Sequence, residues 1–198
     1  MLINSGQVFN YNQFMAWLAD LVHSGKTSGS NQSIALIEFT ALNLKRMERL
    51  NKTILLEPAL INAVKKIQSP QTWTLLTEAW CGDSAQTLPL IAKLENAAEG
   101  NINLQIVLRD EQPELMDGNL TDMSRSIPIL ISHDASGKKL FKWGPRPSPA
   151  QQLLVSWKSS PGGKTWNDFE KELHTWYARD KTRTMQQEFL QLIQNVNY

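Results

Sequence analysis

Cys81 is the single cysteine of this 198-residue chain, so no intramolecular disulfide can staple it. The N-terminal segment MLINSGQVFNYNQF has neither a basic start nor an uninterrupted apolar stretch. With the scarcity of thiols, this argues against a secretory leader and for a reducing compartment, the cytoplasm. Long apolar runs are missing as well. Nowhere do about 18 apolar residues follow one another, so no membrane-spanning helix is expected. Charge of one sign is not in excess: 20 basic residues stand against 19 acidic, for a net charge of +1. That balance gives no electrostatic basis for binding nucleic acid or an anionic membrane. His23, His133 and His174 are far apart, without HxxxH or HExxH spacing, so no metal site is expected.

What the chain does have is apolar material. It is 41% hydrophobic and carries seven tryptophans, enough for one full core with added helical layers. Three regions differ in pattern. From residue 10 to 68 the sequence is helical, with Phe14, Trp17, Leu18 and Leu21 forming one apolar stripe. A Gly/Ser-rich loop, Ser24 to Ser33, follows, then a helix from about Ile34 to Leu50 and a short one opened by Pro58. From Trp73 to Trp157 strand and helix patterns alternate. TWTLLTEA, INLQIVLR, IPILIS and KKLFKW read as strands; the stretches from about Asp83 to Ala98, PELMDGNL and PSPAQQLLVSW read as helices. The order βαβ, α, ββ, α implies a mixed sheet covered by helices. Beyond SSPGG, Thr165 and Asp168 resemble a capping box. Phe169, Leu173, Trp176 and Tyr177, then Met185, Phe189, Leu192, Ile193 and Val196, supply stripes for one long helix or two.

The segment TEAWCGDSAQTLP places Cys81 where a strand passes through Gly82-Asp83 into a helix. The first amides of a helix have no internal partner and point toward such a residue. A helix terminus contributes roughly 0.3–1 kcal/mol to a nearby charge, up to ~2 when partly buried, which lowers a thiol pKa by about half to one and a half units. Cys81 is therefore expected to be a reactive thiolate rather than a small buried hydrophobe. Ser84 is read as satisfying the helix start, with a further option of a bond to the sulfur. Asp83 is read in the same way, although its carboxylate would raise the thiol pKa if it came close.

Trp80, Cys81, Gly82 and Asp83, Pro89 along the helix, and SRSIPILI from 124 to 131 together resemble the thioredoxin-like superfamily. The similarity covers roughly residues 72 to 158. It extends to a bacterial group of thioredoxin-family proteins with helical extensions on both sides. It implies an α/β thioredoxin-like fold, a mixed sheet flanked by helices, divided as a helical extension (1–71), the thioredoxin-like domain (72–158) and a second helical extension (159–198). It also implies that Ile127–Pro128 is cis and lies against Cys81, and that Arg125 matches a basic residue before that proline. Trp80, Gly82, Asp83, Ser84, Arg125, Ser126, Ile127 and Pro128 would then hold a substrate beside Cys81.

The departures from the family pattern bear on mechanism. Ser84 stands where dithiol members have their second cysteine, and Leu75 where they have a buried Asp. Release of a mixed disulfide by internal attack is therefore not available. What fits is monothiol redox chemistry: thiol–disulfide exchange or deglutathionylation through Cys81, with protein or small-molecule thiols and disulfides as partners. No resident cofactor is expected; glutathione or another low-molecular-weight thiol would be a co-substrate. Two rivals are a non-catalytic protein-binding module and an iron–sulfur carrier, since CGDS resembles the CGFS of monothiol glutaredoxins. For the second, RSIP replaces the usual TVP and the Gly-Gly turn is not evident. His133, after the Ile-Pro strand, is read as a surface residue rather than a partner of Cys81. Arg146 in FKWGPRP is read either as a turn residue or as a holder of an anionic ligand group.

Overall fold

The computed structural model describes residues 6–196; residues 1–5, the start of the segment read as lacking a leader, lie outside the described part, as do the last two residues. The elements run β1 (Val8–Phe9), α1 (Tyr11–His23), α2 (Ile34–Thr53), α3 (Pro58–Lys65), β2 (Gln71–Thr77), α4 (Gly82–Ala97), β3 (Ile102–Leu108), a short 3-10 turn (Arg109–Glu111), α5 (Pro113–Asp117), β4 (Ile129–Asp134), β5 (Lys139–Trp143), α6 (Ser148–Ser159), α7 (Trp166–Asp180) and α8 (Arg183–Asn195). The sheet order is β1-β3-β2-β4-β5. β2 and β3 are parallel, joined by α4 as a crossover, whereas β4 and β5 are antiparallel to their neighbours. This is a thioredoxin-like α/β fold with added helices at both ends.

β2 is central, and both of its faces are covered. Trp73 and Leu75 face one core with Leu104, Ile106 and Leu130; Leu76 faces the other with Val107, Ile129 and Ile131. Strand alternation thus divides adjacent leucines between two apolar layers. Leu75 is fully buried in the larger layer, which contains no acid at that position.

The terminal helices belong to the same core. Phe14 and Leu18 of α1, Met47 of α2, Leu60 of α3 and Phe189 of α8 join the cluster built on Trp73. Phe189 stacks on Trp73 at 5.7 Å and meets Trp143 at 5.3 Å. The Gln186 side chain accepts from the Glu57 amide and donates to the Leu55 carbonyl, binding α8 to the α2–α3 connection. α7 packs on α6 through Phe169, Leu173 and Tyr177 against Ala150 and Leu154.

Two details differ from sequence expectation. β1 pairs antiparallel with β3, Val8 opposite Val107 and Phe9 opposite Ile106, so the N-terminal region also supplies an edge strand. Two residues are too few to show a periodicity. Leu18 and Phe169 are buried as their stripes predict, but Trp17 and Trp176 are only partly covered. The C-terminal stripes form two helices, broken where Lys181 and Thr182 take left-handed backbone angles. The Thr165–Asp168 capping box forms at the start of α7.

Candidate functional site

Cys81 is the N-cap residue of α4, in extended backbone at the exit of β2. Its sulfur accepts from the Ser84 amide at 3.5 Å, as a helix start provides, and its thiol donates to the Ile127 carbonyl with sulfur and oxygen 3.5 Å apart. The Ile127–Pro128 bond is cis. The group that meets the sulfur is thus the carbonyl just before the proline. The Ser84 hydroxyl accepts from Thr77 at 2.6 Å, which pins the first turn of α4 to the end of β2.

The ionisation of Cys81 runs against the sequence expectation. The residue is 6% exposed. Burial and then the Asp83 carboxylate push its pKa up to about 11, while the Ser84 side chain and amide and the Arg146 charge pull it down by less. Helix amides do favour the thiolate here. They are outweighed because desolvation penalises a charge far more than one terminus stabilises it.

Asp83 departs from its expected role as well. Instead of capping the turn, its buried carboxylate forms an ion pair with Arg146 (Nη2–Oδ2, 2.5 Å) and accepts from the Tyr177 hydroxyl at 2.8 Å. Burial nevertheless moves its own pKa upward, against the Arg146 and Tyr177 contacts. Arg146 arrives from the turn after β5, where it also donates to Gln151 at 3.2 Å. That turn is set by Gly144, which has φ +111° and packs so tightly that a Cβ would stand 2.2 Å from the Pro128 carbonyl oxygen. Only glycine satisfies both conditions.

Around the sulfur lies a pocket of about 420 Å³. The predicted residues Trp80, Cys81, Gly82, Asp83, Arg125, Ser126 and Ile127 line it; Ser84 and Pro128 are buried behind them. Arg109 lies 5.0 Å over the Trp80 ring and also bonds Asp110. Arg125 makes a two-pronged ion pair with Asp117, both contacts at 2.6 Å. The far wall comes from the added helices: Leu36 and Phe39 of α2, and Trp166, Glu170, Leu173 and His174 of α7.

His174 was not singled out by sequence. A Cβ on Gly82 would meet its ring at 3.2 Å, so glycine lets the imidazole lie directly over the start of α4. Gln86 bonds its Nδ1 at 3.3 Å, and burial with the Arg46 and Arg146 charges lowers its pKa to about 4. Tyr177 was seen only as part of an apolar stripe. No local signal marks either residue, since both act through contacts across some 90 positions of chain. His133 is elsewhere, paired with Thr72 in the sheet. Among the described residues no group of three or more His, Cys, Asp or Glu is placed to hold a metal ion, and no helix is long and apolar enough to cross a membrane.

A family model described as Thioredoxin matches residues 29–160. No match is found among curated proteins. Two solved structures share the fold. A protein of unknown function from Pseudomonas aeruginosa is 16% identical with a TM-score of 0.60, covering 96% of this chain and 99% of that one. An HIV epitope-scaffold protein is 18% identical with a TM-score of 0.57, covering 90% of this chain and 98% of that one. At such identities these likenesses speak to fold alone. The match over two thirds of the sequence, with a strand–cysteine–helix junction set against a proline loop, makes this chain a member of the thioredoxin family.

Proposed function

We propose that the protein is a monothiol exchange protein of the cytoplasm, acting on a small acidic disulfide of the glutathione type. The observation that carries this reading is the position of the Cys81 sulfur, between the Ser84 amide and the Ile127 carbonyl, on the wall of a 420 Å³ pocket whose lining includes Arg109 and Arg125 besides the Asp83–Arg146 pair. Deprotonated Cys81 attacks one sulfur of the disulfide. The S–S bond breaks, the departing thiolate takes a proton, and a mixed disulfide with Cys81 remains. A second small thiol, as thiolate, then attacks the mixed disulfide and releases Cys81. Ser84 has no part in release, which is why the second thiol must come from outside. Ser126 to Pro128 hold the bound chain beside the sulfur, and Trp80, Gly82 and Asp83 shape its floor. Residues 72–158 form the thioredoxin-like unit, and the extensions wall the pocket.

A thiol with a pKa near 11 has about a hundredfold less thiolate than one at 9. The thiolate it does form is about six- to tenfold more nucleophilic, so the resting protein reacts roughly tenfold more slowly than an ordinary cysteine. The same burial favours a second reading, a binding module whose cysteine is inert. Intact mass after incubation with oxidised glutathione separates them. The exchange reading expects one glutathionyl group on wild type, none on Cys81→Ser, and its removal by added reduced glutathione. Wild type that stays unmodified under forcing conditions supports the binding module.

A further inference from the structure

Gly82 and Gln86 stand one turn apart on the same face of α4, and the His174 ring of α7 spans them. A Cβ on Gly82 would lie 3.2 Å from both Nε2 and Cε1, while Nδ1 is 3.3 Å from the side-chain nitrogen of Gln86. An amide nitrogen only donates, so Nδ1 is the acceptor and the ring proton is on Nε2. Burial keeps the imidazole neutral at ordinary pH, which leaves that one proton to be placed. Gln86 is itself buried.

The proton so placed meets no acceptor. Among the described residues nothing bonds Nε2, yet Nε2 is not one of the polar atoms shut away from solvent. His174 lines the cavity that holds Cys81. A donor left bare on a cavity wall calls for an acceptor from outside. The neighbouring charges indicate its kind. Arg46 of α2, bonded to Asn43 through Nη1, places that nitrogen 3.5 Å from the same point over Gly82. Arg146 is matched by Asp83. Glu170, one turn before His174, is the acid that would oppose an anion there; it lines the cavity and bonds neither the ring nor Arg46. Donors from two different helices thus flank the space over the residue next to Cys81. A carboxylate suits both, since it accepts from either and its bond to a guanidinium is charge-assisted.

We propose that His174 is a substrate-binding residue that selects disulfides carrying a carboxylate: Gln86 fixes the imidazole proton on Nε2, and Nε2–H donates to the carboxylate of the disulfide held at Cys81. Gln86 acts through the ring and is a positioning residue. This rests on the exchange reading and narrows its substrate.

Two measurements on the full-length protein test it. Nitrogen NMR of the imidazoles at neutral pH, with His174→Gln assigning the signal, should show Nε2 protonated and Nδ1 bare. Gln86→Leu, which removes the donor to Nδ1, should let the other tautomer appear. A wild-type ring protonated on Nδ1 overturns the proposal whatever the kinetics. The second measurement is the rate, by intact mass, at which Cys81 is captured by oxidised glutathione and by hydroxyethyl disulfide, which is uncharged and has no carboxylate. The ratio of the two rates should fall roughly tenfold in His174→Ala, the worth of one hydrogen bond to a charged group. His174→Gln, whose amide nitrogen can stand where Nε2 stood, should restore most of it. Looser packing alone would change both rates and leave their ratio in place. A ratio unchanged in His174→Ala, in a wild type that both disulfides capture, sinks the role of His174 and spares the exchange reading. A wild type captured by neither disulfide sinks the exchange reading and this one with it.

Discussion

His174 carries a pH dependence of its own. Its folded pKa is about 4, against an ordinary value near 6.5, so between those values the unfolded chain binds more protons than the folded one. Its contribution is therefore complete above pH 6.5 and is lost as pH falls toward 4. Because the ring retains some exposure, we expect the stability advantage of wild type over His174→Gln to shrink by about 1–2 kcal/mol between pH 7 and pH 5. Urea denaturation of both proteins at the two pH values checks this. Burial raises the pKa values of Glu78 and Asp83 and so favours the folded state as pH falls; comparison with the variant cancels them. At this scale the sequence was half legible. Cys81, Trp80 and the Ile127–Pro128 segment could be found because they are local in sequence and carry a known order. The direction of the Cys81 pKa could not be, because it depends on burial and on the carboxylate held by Tyr177, 94 positions away.

Among the elements, the turn between β5 and α6 does more than connect. It presses Gly144 on the Pro128 carbonyl and delivers Arg146 to Asp83, so one short segment positions both sides of the cysteine. Gly144→Ala places a methyl inside backbone contact distance at a positive φ. We expect a loss of about 3 kcal/mol, from strain and overpacking together, read as a fall in thermal midpoint. Gly137→Ala, also at positive φ but with open space around it, should lose only the smaller conformational part. FKWGPRP was readable as a rigid turn from its prolines. That it abuts the proline loop depends on β4 and β5 lying side by side, which spacing alone does not give. The helices were largely legible, since 13- to 20-residue amphipathic stripes such as those of α1 and α2 signal strongly, whereas two-residue β1 has no period to detect.

Taken whole, the molecule is a sheet whose larger core is completed by both ends of the chain. Phe189 of α8 is fully buried between Trp73 and Trp143, so Phe189→Ala should cost about 3–5 kcal/mol. The variant should still melt in one transition, because α8 shares its core with β2. The added helices also line the pocket around Cys81, α2 with Leu36 and Phe39 and α7 with Trp166, Glu170, Leu173 and His174. The most direct measurement is the pH profile of iodoacetamide alkylation of wild-type Cys81. A midpoint near 11, with slow alkylation at neutral pH, is expected of a thiol this deeply buried; a midpoint below about 8, the mark of a thiolate stabilised by its helix, would contradict it.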